Sequence, residues 1–234
     1  MSAMLKKEFK AIIMASKEFG WVLEPEAKRL LSISGIDVPK FLWAKSSEEA
    51  AQFAGEISYP VVAKLISPKA LHKSDVHGVV LGINSDEELG ETFGRFSSFE
   101  GFAGMLIEEM VSGVELIVGA KVDYQFGPVI LLGIGGTAVE IYKDTTLRMA
   151  PLKEVDAESM LKGLKAHELL KGYRGSQPVN LKELTRTLMA FSSLVMDLEG
   201  TFESIDLNPV MCSSRRCVVA DARIILEKAG NNVS

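Results

Sequence analysis

Hydrophobic residues recur at helical spacing in several stretches of the chain, some with a recognisable start. Two capping boxes, Ser46 with Glu49 and Ser85 with Glu88, mark N-termini at which side chains replace missing backbone hydrogen bonds. Together with the apolar periodicity, these signals predict a set of helices. The expected helices cover residues 4–19, 25–34, 46–57, 85–96, 157–164, 166–170 and 181–198.

Elsewhere the pattern changes to short apolar runs bounded by glycine, proline and polar residues, which is typical of strands. The last two runs are separated by residues 213–216, which predict a hairpin turn. The expected strands cover residues 41–44, 61–66, 79–83, 105–109, 114–123, 129–133, 139–142, 147–150, 202–210 and 217–221.

The order of these elements predicts the fold class. Helices and strands alternate first, a mostly antiparallel group of strands follows, and a helix and a hairpin come last. This order favours an α+β (α/β) chain of two α/β subdomains that face each other, with a ligand cleft between them. The expected divisions are an N-terminal helix over 1–20, a first subdomain over 21–104 and a second over 105–230.

Composition narrows the class of protein only slightly. The chain has 234 residues, 47% of them hydrophobic, which is enough for a large core. A net charge of −5 argues against a nucleic-acid binder that depends on bulk positive charge. No window approaches the roughly 18 uninterrupted apolar residues of a membrane span. No signal-peptide pattern is found either, and the spacing of Cys212 and Cys217 fits neither a redox motif nor a zinc pair, so we expect a reduced, cytoplasmic protein.

One cation interrupts an otherwise apolar strand. Lys64 lies in the middle of residues 61–66, and a polar loop at 67–78 follows it. Either the side chain snorkels from a sheet edge, or it meets an anion from a central strand. Because the loop carries two lysines, two histidines, hydroxyls and a glycine, it is suited to phosphate, and we interpret Lys64 as a phosphate-contacting lysine.

The loop histidines are candidates for chemistry. His72 lies beside Lys73 and Ser74, between two predicted strands, and a neutral imidazole is a competent nucleophile towards phosphorus. His77 precedes a glycine and is equally consistent with a structural role. His167, in a predicted helix, is interpreted as a partly exposed helix residue.

A second candidate region follows the predicted strand 105–109. This strand ends in Glu108 and Glu109, and Glu115 begins the next strand after a glycine turn. Backbone groups at such an exit can contact an adenine edge, and a nearby carboxylate can accept from ribose hydroxyls. The alternative is that Glu108 and Glu109 are a solvated strand end, and the residues alone leave both open.

Three oxygen-bearing side chains meet at the C-terminal hairpin. A period of two places Asp206 and Asn208 on one strand face, and the hairpin brings Asp221 beside them. Two carboxylates and an amide oxygen suit Mg²⁺, which keeps room for phosphate and water. An Asn-Pro turn with local hydrogen bonds explains Asn208 but not the acids on both strands, so we favour the metal.

Taken in order, these segments resemble the β subunits of ADP-forming acetyl-CoA (acyl-CoA) synthetases, which have the ATP-grasp fold, over roughly residues 20–228. Several linked motifs carry the resemblance, which makes it specific. They are Val61–Lys64, Ser67–Val79, Gly133–Gly136 with Glu140, Arg148–Leu152, Gly172–Gly175, Asp206–Pro209 and Asp221–Arg223.

The resemblance implies a reversible, Mg²⁺-dependent reaction, acyl-CoA + ADP + phosphate ⇌ carboxylic acid + CoA + ATP. It further implies a partner α subunit that binds CoA, and an α2β2 assembly. His72 would carry a phosphoryl group from the α subunit to ADP. Nucleotide would be bound by Lys64, Lys73, Ser74, Glu109, Met110, Val111 and Glu115, and Mg²⁺ by Asn208 and Asp221 with Asp206 adjacent.

The chain departs from the family pattern at His77, where the family usually has glycine. This side chain either restricts the loop or adds a second imidazole to the phosphate path. Three rival functions stay open at this point: a succinyl-CoA synthetase-like β subunit, another ATP-grasp ligase such as a carboxylate–amine ligase, and a non-catalytic nucleotide-binding subunit. The sequence does not specify the acyl group.

Overall fold

A computed structural model describes residues 3–136, 144–173 and 177–227. The helices that it contains lie close to the positions that the periodicity predicted. They are α1 (Ala3–Ser16), α2 (Glu24–Ile33), α3 (Ser47–Ile57), α4 (Asp86–Ser97), α5 (Glu154–Gly163), α6 (His167–Leu170) and α7 (Leu181–Asp197). A 3₁₀ turn covers Lys73–Val76.

The strands form two antiparallel sheets. They are β1 (Trp21–Val22), β2 (Phe41–Ala44), β3 (Val61–Ile66), β4 (Val79–Ile83), β5 (Gly104–Glu109), β6 (Val114–Asp123), β7 (Gly127–Ile134), β8 (Thr145–Met149), β9 (Phe202–Cys212), β10 (Cys217–Val219) and β11 (Ala222–Leu226). The strand expected at 139–142 lies outside the described residues.

Ser46 and Ser85 cap α3 and α4, as predicted. Ser46 Oγ accepts a hydrogen bond from Glu49 N at 3.2 Å, and Ser85 Oγ accepts one from Glu88 N at 3.2 Å. The two glutamate carboxylates reach back to backbone N–H groups of the residues that precede the caps. The sequence therefore specified where α3 and α4 begin, because the capping side chains satisfy backbone donors that the first turn leaves unpaired.

The chain divides into two compact units, which we call the inserted unit (Pro39–Val111) and the discontinuous unit (Met1–Val38 with Ser112–Ser234). In the inserted unit the sheet order is β2-β5-β3-β4. One face of this sheet packs with α3 and α4 around a core that includes Leu65, Leu89 and Ile107.

In the discontinuous unit, seven strands of the described residues form one sheet, with the path β1-β11-β9-β6-β7-β8 and β10 paired to β9. Its core combines the sheet with α1, α2, α5 and α7, and Leu30, Leu188 and Phe191 are fully buried there. None of the described helices is long and apolar enough to span a membrane.

The observed division differs from the expected one at both ends. The predicted boundary at 104/105 coincides with the start of β5, which is hydrogen bonded to β2 and β3 and so belongs with them. Residues 21–38 belong with the C-terminal strands, because Trp21 pairs with Ile225 and Val22 with Ile224. The predicted strand 217–221 is also interrupted: β10 ends at Val219, and a further strand, β11, begins at Ala222.

Candidate functional site

Lys64 lies in the centre of the sheet of the inserted unit. All six residues of β3 are buried, and β3 runs between β5 and β4, so the alternative of a lysine snorkelling from a sheet edge is wrong. Lys64 Nζ forms an ion pair with Glu108 Oε2 at 3.1 Å, and the two side chains are only 6% and 2% exposed. The pairing is diagonal across β3 and β5, because Lys64 faces Leu106 while Val62 faces Glu108.

The burial of Glu108 excludes one of the two interpretations that the sequence left open for the end of this strand. Glu108 is not part of a solvated strand end, since it is 1% exposed and faces an ammonium group. Desolvating two charges is costly, and the pair is kept only where the geometry compensates for it. Glu108 is therefore a candidate site residue that the sequence analysis did not select. The one sign of it in the sequence was an acid in the strand that pairs with β3.

The loop at 67–78 is closed on itself by backbone hydrogen bonds. Gly78 N donates to Lys73 O at 2.7 Å, and Leu65 N donates to Gly78 O at 2.8 Å. A Cβ on Gly78 would lie 3.1 Å from both Leu65 Cβ and Lys73 O, so this close approach favours glycine. The loop therefore begins and ends against β3, directly beyond Lys64.

His72 occupies the exposed part of this loop. Its carbonyl accepts a hydrogen bond from Asp75 N at 3.2 Å, which starts the 3₁₀ turn, and its side chain is exposed to solvent. Lys73, the next residue, is partly buried. The side chain of Ser74 lies outside the described part of the structure. The backbone thus presents the imidazole of His72 at the surface of the loop that follows the buried Lys64.

His77 adopts a left-handed backbone conformation with φ of 51°. Glycine adopts this region at no steric cost, whereas a residue with a Cβ seldom does. The side chain is exposed and borders a cavity of about 600 Å³, which is also lined by Leu65, Val79 and Arg95. The departure from the family glycine therefore falls at a position whose conformation favours glycine.

The segment expected to contact adenine, residues 109–111, is hydrogen bonded to Lys40 through its first residue, Glu109. Glu109 N donates to Lys40 O at 3.0 Å, and Glu109 Oε1 accepts from Lys40 N at 3.1 Å. Met110 is exposed, and Val111 is partly buried. The carboxylate of Glu109 is thus engaged with the backbone of residue 40, while the following residues remain accessible.

Glu115 is the second residue of β6 and lies against a glycine pair. Its carbonyl accepts a hydrogen bond from Gly135 N at 2.6 Å, and a Cβ on Gly135 would lie 2.9 Å from the Glu115 backbone. A Cβ on Gly136 would come within 3.3 Å of Glu115 Oε2. The Gly133–Gly136 motif therefore has a local explanation in close packing around Glu115. Glu140, like Arg174 and Gly175, lies outside the described residues.

The three predicted metal ligands lie around an irregularity in the sheet of the discontinuous unit. Leu207 is buried while Asp206 and Asn208 on either side of it are accessible, as the period of two predicted. Asn208 N donates to Asp221 O at 3.1 Å, so the hairpin does bring Asp221 beside Asn208. The pairing of β6 with β9 shifts register between Leu116 and Val118, opposite Asn208 and Pro209.

Asp206 has a charged partner on the neighbouring strand. Arg223 lies directly opposite it on β11, and Arg223 Nη2 contacts Asp206 Oδ2 at 3.1 Å. Partial burial raises the pKa of Asp206, and the arginine offsets part of that effect. Asp221 Oδ1 accepts from Ala222 N at 2.9 Å.

The donor set suits Mg²⁺ better than a transition metal. Two carboxylates and an amide oxygen are hard ligands, and few of them are needed by an ion that retains water and phosphate oxygens. Among the described residues no three His, Cys, Asp or Glu side chains are grouped as metal ligands. Asn208 and Asp221 are therefore the candidate ligands, and Asp206, which pairs with Arg223, lies next to them.

Comparison with known proteins places this arrangement in a family. The ATP-grasp domain matches residues 14–226, and the chain belongs to the ATP-grasp family. Within that family the chain is similar to the β subunit of ADP-forming acetate–CoA ligase I of Pyrococcus furiosus. The two are 41% identical over 213 residues, which cover 88% of this chain and 91% of that protein. The resemblance inferred from the motifs is thus confirmed.

Solved structures agree with the fold. An acetyl-coenzyme A synthetase of Ca. Korarchaeum cryptofilum, in complex with coenzyme A and Ca-AMPCP, superimposes with a TM-score of 0.87 at 39% identity over 93% of this chain and 99% of that chain. The same enzyme with coenzyme A and Mg-AMPPCP has its phosphohistidine segment pointing towards the nucleotide-binding site, and superimposes with a TM-score of 0.82 at 39% identity over the same shares.

Proposed function

We propose that this chain is the nucleotide-binding β subunit of an ADP-forming acyl-CoA synthetase, an acid–thiol ligase that catalyses acyl-CoA + ADP + phosphate ⇌ carboxylic acid + CoA + ATP. The observation that carries the proposal is that a buried cation, Lys64, is followed by a loop that exposes a nucleophile, His72. This combination occurs in a chain that is 41% identical to a β subunit of that class.

His72 serves as a phosphoryl carrier. A ring nitrogen of His72 attacks the phosphorus of a phosphohistidine presented by the partner subunit, the old N–P bond breaks, and the partner's imidazole is released. A terminal phosphate oxygen of ADP then attacks the phosphorus on His72, forming ATP and restoring the free imidazole. Exposure of His72 supports this role, because an incoming phosphohistidine must reach the ring.

The lysines of this region stabilise the phosphate charge. Lys64 offers its ammonium from within the sheet, where low exposure strengthens an electrostatic contact with phosphate. Lys73 and Ser74 adjoin His72 and bind phosphate oxygens from the loop. Glu109, Met110 and Val111 supply the adenine contacts through their backbone, and Glu115 accepts from a ribose hydroxyl.

Mg²⁺ is held by Asn208 and Asp221, with Asp206 beside them. When bound, the ion neutralises charge on the nucleotide phosphates. The chain's own contribution is to fix the donors: the bond from Asn208 N to Asp221 O ties the two ligand-bearing residues together, and Arg223 orients Asp206. Such support from neighbouring groups is what sets metal affinity in general.

The partner is a CoA-binding α subunit, and the assembly is an α2β2 heterotetramer. The designation of the Pyrococcus furiosus relative as subunit beta supports a partner of this kind. The partner forms the acyl phosphate and supplies the phosphohistidine. Because its substrates include CoA and ADP, we assign the complex to the cytoplasm.

The test compares two histidines of one loop. With the α subunit present, His72→Asn is expected to lower ATP formation by at least a hundredfold, because a covalent carrier is lost. His77→Gly, which restores the family residue at a left-handed position, is the matched control and keeps activity within about threefold. A phosphohistidine at His72, found by mass spectrometry under alkaline conditions, separates this function from a carboxylate–amine ligase. Near-normal turnover of His72→Asn would exclude the carrier role.

A further inference from the structure

A second buried lysine lies under the sheet of the discontinuous unit. Lys28, on the inner face of α2, is fully buried, and Glu24 one turn earlier is 1% exposed. Lys28 Nζ contacts Glu24 Oε1 at 3.0 Å and donates a hydrogen bond to Ala220 O at 2.8 Å. The ammonium group therefore joins a helix carboxylate to the backbone of the C-terminal hairpin.

The position of this pair is unusual for a helix that packs on a sheet. Its neighbours Ala27, Leu30 and Leu31 are all fully buried and apolar. A buried ion pair can often be replaced by apolar side chains of similar volume at no loss of stability. Stability of the core therefore gives little reason for charges at these two positions, which directs attention to what Lys28 contacts.

Ala220 and Asp221 are the two residues that separate β10 from β11, and they face Asn208 and Pro209 on β9. Ala220 N donates to Pro209 O at 2.9 Å. In an antiparallel ladder, the reciprocal bond would run from the backbone nitrogen of residue 209 to Ala220 O. Proline has no N–H and cannot donate it. Lys28 donates to that carbonyl instead, and so supplies the bond that Pro209 cannot make.

The geometry points to Lys28 as a positioning residue for the carboxylate of Asp221, with Glu24 holding the ammonium in place. The bond to Ala220 O fixes the peptide that leads directly into Asp221. The bonds from Val219 N to Asp37 O and from Asn208 N to Asp221 O fix the backbone on either side. This inference rests on the proposed function, because it takes Asp221 to be a Mg²⁺ ligand.

The test measures how much Mg²⁺ increases the affinity for ADP. Titration calorimetry is carried out on the full chain, in complex with its α subunit, in Mg²⁺ and in EDTA. Glu24→Gln combined with Lys28→Met removes both charges at similar volume. We expect this double variant to bind ADP in EDTA within about twofold of wild type. Its Mg²⁺-dependent gain should fall about tenfold, in line with the loss of groups that orient ligands.

A matched control separates positioning from stability. Ser192 Oγ accepts from Leu152 N at 2.7 Å inside the same unit, so Ser192→Ala removes a buried bond without contacting the hairpin. This variant should lose stability and keep the full Mg²⁺-dependent gain. A gain within twofold of wild type in the folded double variant would overturn the inference and leave Lys28 a structural residue.

Two further outcomes are also decisive. If the double variant does not fold, Glu24→Leu combined with Lys28→Met, which leaves no polar group at the buried pair, is measured instead; its gain should fall at least threefold, and an unchanged gain overturns the inference. If the wild-type complex shows no Mg²⁺-dependent gain, or Asp221→Asn keeps it, the proposed metal site itself fails and the role of Lys28 falls with it. If Mg²⁺ increases the ADP affinity of the wild type but not of Asp221→Asn, the proposed metal site is supported, and this result does not depend on the role of Lys28.

Discussion

Two buried lysine–glutamate pairs lie in different units of the chain and differ in what the lysine contacts. In the inserted unit, Lys64 pairs with Glu108 at 3.1 Å across two strands. In the discontinuous unit, Lys28 pairs with Glu24 at 3.0 Å along one helix. The ion-pair distances and burial are nearly the same. Lys28 binds the backbone carbonyl of Ala220 next to the C-terminal hairpin, and Lys64 lies at the start of a loop that bears an exposed histidine.

From this difference we expect two roles for one chemical motif. A lysine whose ammonium precedes an exposed polar loop can exchange its carboxylate for a phosphate when nucleotide binds. A lysine that is fully buried and bonded to the main chain has no such alternative, and it orders the segment that it contacts. We expect substitutions at Lys64 to affect nucleotide chemistry, and those at Lys28 to affect stability and the metal segment.

The largest effect expected is on stability at Lys28. Lys28→Met leaves the Glu24 carboxylate buried opposite an apolar side chain, and should lower the free energy of unfolding by about 3–5 kcal/mol. Adding Glu24→Gln should restore most of that loss. Urea unfolding in a Trp43→Phe background isolates the fluorescence of Trp21, the only other tryptophan, which lies in β1 of the same unit. Additive losses in the double variant would contradict the pairing.

At Lys64 the main effect should be on activity. In the variant that combines Lys64→Met with Glu108→Gln, no unpaired charge is buried, so the fold should persist. ATP formation should nevertheless fall about 10²- to 10³-fold, the cost typical of removing a group that stabilises developing charge. Lys69→Met, which removes an exposed cation from the loop that follows β3, is the control. Its rate of ATP formation should stay within about twofold of wild type. If both variants have equal activity, Lys64 resembles Lys28 and the comparison between them fails.

The smallest effect is expected at an exposed pair. Lys69 contacts Glu100 at the surface, and this hydrogen bond with its charge attraction lowers the pKa of Glu100. The pair is therefore complete above the ordinary pKa of the carboxyl and is lost as the pH falls through the lowered value. In Lys69→Met the pKa of Glu100 should return towards its ordinary value in an NMR titration, with no measurable change in melting temperature. A clear loss of stability would show that burial is not what distinguishes the other two pairs.

Local signals made much of the fold predictable. The caps Ser46 and Ser85, the apolar run around Lys64 and the hairpin of residues 213–216 each predicted an element that the structure contains. The unit boundary was not predictable in this way, because β5 follows a loop in sequence and yet pairs with two earlier strands. Strand β11 was not predicted as a separate strand. The interruption at Ala220–Asp221 is only two residues long, and apolar residues resume directly after it.

The two lysines also differ in how well the sequence predicts that they are buried. Lys64 stands out because a cation in a strand of apolar residues has no local explanation. Glu24 and Lys28 have the spacing of an ordinary exposed ion pair on a helix, four residues apart. Only the placement of α2 against the sheet shows that this face points inward. The roles of His72, Asn208 and Asp221 remain predictions that the experiments above address.

The interrupted arrangement of the chain has a consequence for its synthesis. Residues 39–111 contain every strand of the inserted unit, so this unit can close its sheet while later residues are still being added at the ribosome. Strand β1 and helix α2 are made earlier, but their partner β11 is the last of the described elements in chain order. The nascent chain therefore passes through a state in which the His72 loop is already built while the apolar face of α2 is uncovered. That face is covered only once β11 has been made.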